Sequence, residues 1–349
     1  MIRFAWLQAR TQVVVAFAAL LALAIAALLT GIQLAHLYDS LVARCTSSCD
    51  LATQRFLSHD DFMDKTLDIL ARILPALLGI FWGAPILARE FETGTVRLAW
   101  TQSVPRARWL FSRIGVGLLA TVALSALFSV TVTWWYHRRD QLGSNAYDLF
   151  DRRNLVPVAY AVFAFAAGVM FGALIRRTVP AMAATLAAFV FARVAVDLWV
   201  RPHLLGAKHI VVSLVRTGPV RLGIGTSNGG PIRLFADGGG PPKSWVQSVH
   251  FVTTSGSRVS SGELSAYLQQ SCPDVLRTAS APVGTGKVGA DDPGYRCLTL
   301  VEQHFRLAVS YQPASRYWAF QALESGVFVL LAAAAIGVTY WAVTRRGLR

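Results

Sequence analysis

Charged residues are scarce in this sequence. Asp, Glu, Lys and Arg supply 15% of its 349 positions, whereas a typical soluble domain carries about a quarter. Apolar residues make up 54%, and they are clustered in runs longer than the core helices of a soluble protein need. This composition excludes an ordinary soluble domain and places the chain among membrane proteins.

An ATP-binding loop is also missing. The nearest approach to one, residues 284–288, lacks both the four-residue spacing between its glycines and the Ser or Thr that should follow Lys287. There is no H-E-x-x-H or C-x-x-C sequence, and the histidines are scattered. We therefore expect no catalytic residue, no metal site and no cofactor on this chain. If ATP and Mg drive the protein, a partner subunit binds them.

The net charge of +14 leaves two classes of partner to consider. Basic proteins often bind nucleic acid, but they do so through a basic face on a soluble fold. Here much of the arginine stands at the ends of apolar runs, where it sets membrane topology beside anionic lipid. We expect membrane lipid, and no nucleic acid, among the partners.

Six apolar stretches reach the length of about 20 residues that a helix needs to cross a bilayer. They are residues 12–35, 67–88, 110–135, 155–175, 179–200 and 319–343. The first is longer than a signal-peptide core and has no clean cleavage site, so we expect it to be retained. Residues 1–200 are thus predicted to form a membrane domain of five helices, and 319–349 a sixth helix with a short tail.

The distribution of basic residues predicts the orientation. With both termini in the cytoplasm, the inner flanks carry 12 basic residues: Arg3, Arg10, Arg89, Arg97, Arg106, Arg108, Arg113, Arg176, Arg177, Arg345, Arg346 and Arg349. The two short outer loops carry seven: Arg44, Arg55, Lys65, Arg138, Arg139, Arg152 and Arg153. Because short cytoplasmic loops are enriched in Lys and Arg, we expect a multi-pass plasma-membrane protein with both ends cytoplasmic.

The segment 201–318 differs from the rest of the chain. It has no run of membrane length, a Gly-Gly-Gly-Pro-Pro turn at 238–242, strand-like alternation at 209–214 and 298–311, and a capped helix start at 261–270. We predict a mainly α fold: a six-helix polytopic membrane protein with a small α+β extracytoplasmic domain between helices five and six.

The four cysteines support this placement. Cys45, Cys49, Cys272 and Cys297 all fall on the predicted outer side, where disulfides persist. We favour the pairs Cys45–Cys49 and Cys272–Cys297, although three connectivities are possible. A metal site on the first pair is a less favoured alternative, because only His36 and His59 lie near it in the sequence.

Three charged residues fall inside the predicted helices. Arg193 and Asp197 are four residues apart in the fifth helix and share a face, and Glu324 lies about one turn inside the sixth. Charge in a bilayer is costly and usually faces protein or water. One hypothesis places the three along an outward substrate path. The hypothesis we favour is that they pair with each other and lock helices together.

The loop after the second helix, residues 89–109, has an ordered pattern. A cluster of acidic and basic residues is followed by Gly-Thr, an amphipathic run and a proline: Arg89, Glu90, Phe91, Glu92, Gly94, Thr95, Arg97, Trp100 and Pro105. Val96, Trp100 and Val104 repeat at four-residue spacing. That spacing predicts a short amphipathic helix at the inner membrane surface.

In order and spacing this loop resembles the coupling region of ABC exporter permeases of the type-2 family. A second stretch, residues 311–321 with Glu324, is similar to the junction before the last helix in a bacterial subgroup of that family. The resemblance implies a permease subunit that moves an amphipathic or drug-like substrate outward by alternating access. Its partners would be an ABC ATP-binding subunit, which holds ATP and Mg, and a second or sister permease.

The resemblance also implies roles for loop residues. Arg89, Glu90 and Glu92 would contact the ATPase, and Gly94-Thr95 would allow the bend into the docking helix. The alternative is that this cluster only anchors an interfacial helix. For the whole protein, the alternative function is a membrane-anchored sensor or binding protein whose extracytoplasmic domain recognises an envelope component.

Overall fold

The structure, a computed structural model, describes residues 2–45, 49–94, 106–142, 145–213, 220–226, 232–272 and 293–345. The chain divides into two compact units. The membrane unit comprises Met1–Leu204 and Trp318–Arg349, and the inserted unit comprises Leu205–Tyr317.

Within these ranges the chain forms ten α-helices and five strands. The helices are α1 Ile2–Leu37, α2 Asp50–Ser58, α3 Asp61–Leu78, α4 Ala84–Glu92, α5 Arg106–Asp140, α6 Val156–Ile175, α7 Thr178–Ala195, α8 Ser261–Ser271, α9 Pro293–His304 and α10 Tyr317–Arg345. The strands are β1 Lys208–Val212, β2 Val220–Thr226, β3 Ile232–Gly238, β4 Trp245–Thr253 and β5 Phe305–Gln312. Short π-helical turns follow α1, α3 and α7 at Tyr38–Val42, Gly79–Gly83 and Val196–Val200.

In the described part of the chain, six helical stretches are long and apolar enough to cross a membrane. In order, the spans are Val13–Val42, Asp61–Glu92, Ala107–Asp140, Val156–Ile175, Thr178–His203 and Ala314–Arg345. This confirms the prediction of a polytopic, mainly α membrane protein.

The second span begins at Asp61, six residues before the predicted start at 67. Its polar first turns are tied to neighbouring elements. Tyr136 Oη donates a hydrogen bond to Asp64 (2.6 Å), and Arg152 pairs with Asp68 (2.7 Å). Hydropathy does not register such contacts, so the sequence placed the start at the first apolar residues.

The fourth span is the most buried. Of its membrane-length stretch 67% is buried, compared with 11% for the first span. It packs closely on the π-helical turn of the second span: a Cβ added at Gly168 would lie 2.4 Å from the Gly79 carbonyl oxygen, and one at Gly172 would lie 2.5 Å from that of Ala84. Only glycine permits this approach, which is how small residues bring membrane helices into contact.

The inserted unit is built on an antiparallel sheet of order β1-β5-β4, beside the antiparallel pair β2-β3. Along β5, Leu307 and Val309 are buried and alternate with partly exposed residues. They form a core with Leu264 and Leu268 of α8 and Val301 of α9. This confirms the expected small α+β fold.

The start of α8 is a capping box. Ser260 Oγ accepts the Glu263 N–H (3.2 Å), and the Glu263 carboxylate accepts the Ser260 N–H (2.8 Å). These hydrogen bonds hold the pKa of Glu263 below its ordinary value.

One strand expectation was wrong: residues 298–304 belong to the helix α9, and only Phe305–Gln312 form a strand. Cys297 and Val301 are four residues apart and both buried, so they share one helix face against α8. A disulfide joins Cys297 to Cys272, directly after α8. A second disulfide joins Cys45 to Cys49, and it occupies both sulfur atoms that the alternative metal site would need.

Candidate functional site

The membrane unit has two ends that differ in their polar side chains. The Glu90 end comprises the end of α4 with Gly94, the start of the third span and the 176–178 connection. The Arg201 end comprises Asp151, Tyr160, Arg193, Asp197, Arg201, Gln321 and Glu324. Since successive spans run in opposite directions, each end collects residues that are distant in the sequence.

At the Glu90 end, Glu90 forms an ion pair with Arg113 of the third span. The two side chains are 15% and 14% exposed. The pair joins the last turn of the second span to the third.

Glu92 joins the same turn to the fifth span. Its Oε2 accepts hydrogen bonds from the Thr178 N–H (3.1 Å) and Oγ1 (2.6 Å). The first N–H groups of a helix have no partner within the helix, so Glu92 caps α7 from another element. Beside it, the Arg176 guanidinium lies 5.5 Å from the centre of the Phe91 ring.

The Arg89 side chain takes no part in these contacts. It is exposed, and among the residues that the structure describes its side chain has no ion-pair partner. Gly94 ends the helix with φ +72°, a left-handed conformation typical of glycine after a helix C-terminus. Thr95, Arg97, Trp100 and Pro105 lie outside the described residues, so the amphipathic docking helix stays a prediction.

A cavity of about 840 Å³ opens beside Arg89, between the first, second and fifth spans. Its walls are mainly apolar, with Val15, Phe81, Trp82 and Met182 among them. Arg89, Glu92 and Thr178 line it as well. The π-helical turn Gly79–Gly83 supplies Phe81 and Trp82, and such turns are frequent at functional sites.

At the Arg201 end, one guanidinium collects three carboxylates. Arg201 donates to both oxygens of Glu324, from Nε (2.7 Å) and Nη2 (2.8 Å). It also donates to Asp151 (2.8 Å) and pairs with Asp197. The side chains of Arg201 and Glu324 are only 11% and 1% exposed, so this is a buried, bidentate ion pair.

Tyr160 and Arg193 extend the cluster. Tyr160 Oη donates to Glu324 Oε1 (2.5 Å), and Arg193 Nη2 donates to Asp151 Oδ2 (2.8 Å). The Arg193 guanidinium also lies 4.3 Å from the centre of the Tyr160 ring. The fourth, fifth and sixth spans and the 151 loop are thus joined at this end.

Gln321, one turn before Glu324, adds hydrogen bonds from an uncharged side chain. Its Oε1 accepts the N–H groups of Leu155 and Val156 (3.1 Å each), and its Nε2 donates to the Phe150 carbonyl (2.9 Å). Gln321 is fully buried. The sixth span thereby caps the start of the fourth.

The sequence singled out Arg193, Asp197 and Glu324, and the structure brings all three into this cluster. The expected direct pairing between them was wrong, because Arg193 pairs with Asp151, and Asp197 and Glu324 both pair with Arg201. Sequence reasoning did not assign Asp151, Tyr160, Arg201 or Gln321 to this cluster, although Gln321 ends the stretch 311–321 that resembles the family's junction. One signal was available: Asp197 and Arg201 are four residues apart on the same helical stretch.

Residues 17–201 match a family described as ABC-2 membrane transporter related. The chain belongs to this family. The matched residues cover more than half of the chain: most of the first and fifth spans, all of the second to fourth, Arg89–Glu92 and the cluster residues up to Arg201. Neither a curated protein nor a solved structure shows significant similarity to the chain.

Family membership and the six spans identify a multi-pass membrane protein and an ABC transporter permease. Membership in the ABC-2 family also implies an ABC ATP-binding subunit as partner. Glu324, Gln321 and the inserted unit lie beyond the matched residues.

Proposed function

We propose that this permease is the transmembrane subunit of an ATP-driven ABC exporter, which moves an amphipathic or drug-like substrate outward by alternating access. A separate ATPase subunit binds ATP and Mg, and this chain has no ATPase site of its own. A second copy of the permease, or a sister permease, completes the transporter. The protein lies in the plasma membrane with both termini in the cytoplasm, and the inserted unit is extracytoplasmic.

The observation that carries the proposal is the double attachment of the Glu90 end. Within two residues of each other, Glu90 ties α4 to the third span and Glu92 ties it to the fifth. A force applied by a docked ATPase to the following loop therefore reaches three spans. Transport by alternating access requires that kind of concerted movement of packed helices.

The distribution of charge suggests how docking is divided among the loop residues. Glu90 and Glu92 are occupied by contacts within the chain, so their main role on this proposal is transmission. Arg89 is exposed and supplies a polar contact to the ATPase. Gly94 lets the chain turn from α4 into the docking helix.

The test is copurification. The protein is solubilised gently from its native membrane after crosslinking, and the associated proteins are identified with the native chain and with Glu90→Ala/Glu92→Ala. We expect an ATP-binding subunit with the native chain and a depleted amount with the variant, because without these two ties α4 no longer holds the docking loop in position. Absence of an ATPase even after crosslinking would contradict the proposal and direct attention to the inserted unit as a sensor.

Matched variants separate docking from packing. Arg113→Gln and Thr178→Val remove side-chain partners of the two carboxylates but leave the carboxylates in place. If the loop acids touch the ATPase directly, these two variants retain it. If Arg113→Gln and Thr178→Val lose the ATPase as fully as Glu90→Ala/Glu92→Ala does, the carboxylates act only by positioning the loop. Arg89→Ala then tests the exposed contact alone.

A further inference from the structure

The cavity beside Arg89 has the dimensions and walls of a ligand site. Its volume of about 840 Å³ falls in the range of about 300–1,000 Å³ that is usual for small-molecule pockets. Val15 and Phe81 on its walls are 63% and 54% exposed, so the cavity is open along the first and second spans. In a membrane those openings face the hydrocarbon chains of lipid.

The polar groups of the cavity lie at one level. Arg89, Glu92 and Thr178 are within the last or first turns of their spans, near the membrane surface. Phe81 is eight residues before Arg89, which corresponds to about 12 Å along a helix. The cavity therefore presents a polar mouth at the surface and apolar walls below it, the arrangement of an amphiphile in a bilayer.

The charge of the mouth selects the sign of a head group. Arg89 is exposed and has no ion-pair partner among the described residues, and Arg177 lies close enough to Glu92 to act on it electrostatically. The acidic residue of the mouth is Glu92, whose Oε2 already accepts two hydrogen bonds from Thr178. Among the described residues that line the cavity, the cationic group is the guanidinium of Arg89, for which a bound head group and the proposed ATPase contact would compete.

We propose that this cavity binds an amphiphile drawn from the bilayer, with an anionic head group on Arg89 and a hydrocarbon chain along Phe81, Trp82 and Val15. Arginine suits a phosphate or carboxylate head because its planar guanidinium can donate two parallel hydrogen bonds. That such an amphiphile is the exported cargo rests on the proposed function, whereas its binding does not.

Trp82 provides the measurement. The purified protein is reconstituted in phosphatidylcholine vesicles containing small fractions of either brominated phosphatidylglycerol or brominated phosphatidylcholine. Bromine quenches nearby tryptophan, and the contribution of Trp82 is the difference between the native chain and Trp82→Phe. We expect half-maximal quenching of Trp82 at a mole fraction of the anionic lipid about fivefold lower than that of the phosphatidylcholine. The reason is that one arginine near the membrane surface contributes about 1 kcal/mol to the binding of anionic lipid.

Two arginine variants test the contact. Arg89→Gln should remove the preference for the anionic lipid, while Arg108→Gln, which removes an exposed arginine outside the cavity at the same end, should keep it. Should Trp82→Phe fail to fold, total quenching in the two arginine variants gives the same comparison. Equal quenching by the two lipids, or an unchanged preference in Arg89→Gln, overturns the proposal.

A second copy of the chain is the other occupant to exclude. The described cysteines are all in disulfides, so Ala19→Cys on the cavity wall introduces a single free thiol. Efficient disulfide crosslinking of two such chains would show that a second copy covers the cavity and would overturn lipid binding there.

The copurification experiment keeps the two proposals separate. An ATPase partner without an anionic preference at Trp82 would refute this inference and leave the permease proposal intact. An anionic preference without an ATPase partner would support the lipid site and refute its role in export.

Discussion

The two ends of the membrane unit use charge in opposite ways. At the Arg201 end, two arginines and three carboxylates meet around the Glu324 side chain, which is 1% exposed. At the Glu90 end, the two carboxylates make separate ties to different spans, and Arg89 remains exposed beside an open cavity. A buried cluster that shares partners resists separation, whereas isolated ties leave neighbouring groups available.

This difference suggests a division of labour. The Arg201 end joins the fourth, fifth and sixth spans into one body. At the Glu90 end, Glu90 links the second span to the third and Glu92 links it to the fifth. We expect these separate links to let a partner move the spans and to let a ligand enter. The comparison predicts that substitutions at the Arg201 end act mainly on stability and that those at the Glu90 end act mainly on partner or ligand binding.

Glu324→Ala should give the largest loss of stability. Removing one partner of a buried ion pair typically costs about 3–5 kcal/mol, because the other charge stays buried. Here Tyr160 also loses its acceptor. The loss is measured as a lower midpoint of thermal unfolding in detergent.

The control for Glu324→Ala is Arg72→Ala. Arg72 pairs with Asp68, but its side chain is 56% exposed, and exposed pairs contribute about 0–1 kcal/mol. Equal midpoints for the two variants would break the comparison, because the buried cluster would then contribute no more than a surface pair.

Gln321→Leu should destabilise by about 2–3 kcal/mol, because it leaves three backbone groups without a partner. The Val156 N–H and the Phe150 carbonyl are buried and the Leu155 N–H is partly buried, and each buried group typically costs about 1 kcal/mol or more. Gln141→Leu, at an exposed position after α5, is the matched control and should change stability by less than about 0.5 kcal/mol. Chemical denaturation in mixed micelles reports both values. Unchanged stability of Gln321→Leu would show that water replaces the three hydrogen bonds of the Gln321 side chain.

Gly168→Ala tests whether stability depends only on the polar contacts at the two ends or also on helix packing in the middle of the membrane unit. The added Cβ would overlap the Gly79 carbonyl oxygen, and overpacking of this kind costs about 1–3 kcal/mol. Gly115→Ala is the control: an added Cβ there meets no atom within 4 Å, so this change should be neutral or stabilising. If both variants unfold at the native midpoint, the close approach of the second and fourth spans is not needed for stability.

Arg113→Gln should have the smallest effect of the four. It breaks a single, mostly buried ion pair, but the glutamine amide can still donate a hydrogen bond to Glu90, so we expect a loss of about 1 kcal/mol. Arg108→Gln serves as the reference for loss of one exposed positive charge. A loss for Arg113→Gln as large as that for Glu324→Ala would mean that both ends are locked, and it would remove the basis for treating the Glu90 end as the movable one.

The spans could be predicted because length and hydropathy are local properties of the sequence. The start at Asp61 could not, since it depends on Tyr136 and Arg152, which are far away in the sequence. The same limit applies to α9: the sequence pattern predicts a strand, whereas the disulfide at Cys297 and the buried face belong to a helix. In both cases the missing information is a tertiary contact.

The candidate sites divide in the same way. Charges within apolar runs are conspicuous, so Arg193, Asp197 and Glu324 were found. Their partners were not, because Asp151 lies in a polar loop and Arg201 at a boundary where a charge is ordinary. Arg193 and Arg201 are each four residues from Asp197, and only the folded arrangement shows that Arg201 is the partner. The cavity beside Arg89 required the packing of three spans to be known.

The ion pair between Arg201 and Glu324 has a consequence for the evolution of the chain. These residues stand just before and just after the inserted unit, so the membrane unit itself holds together the two points where the insertion leaves and returns. The entropic cost of closing a loop between those two points rises only slowly with the length of the loop. The connection between the fifth and sixth spans is therefore a natural site of domain exchange, where segments of different size could be accepted without rebuilding the helices around them.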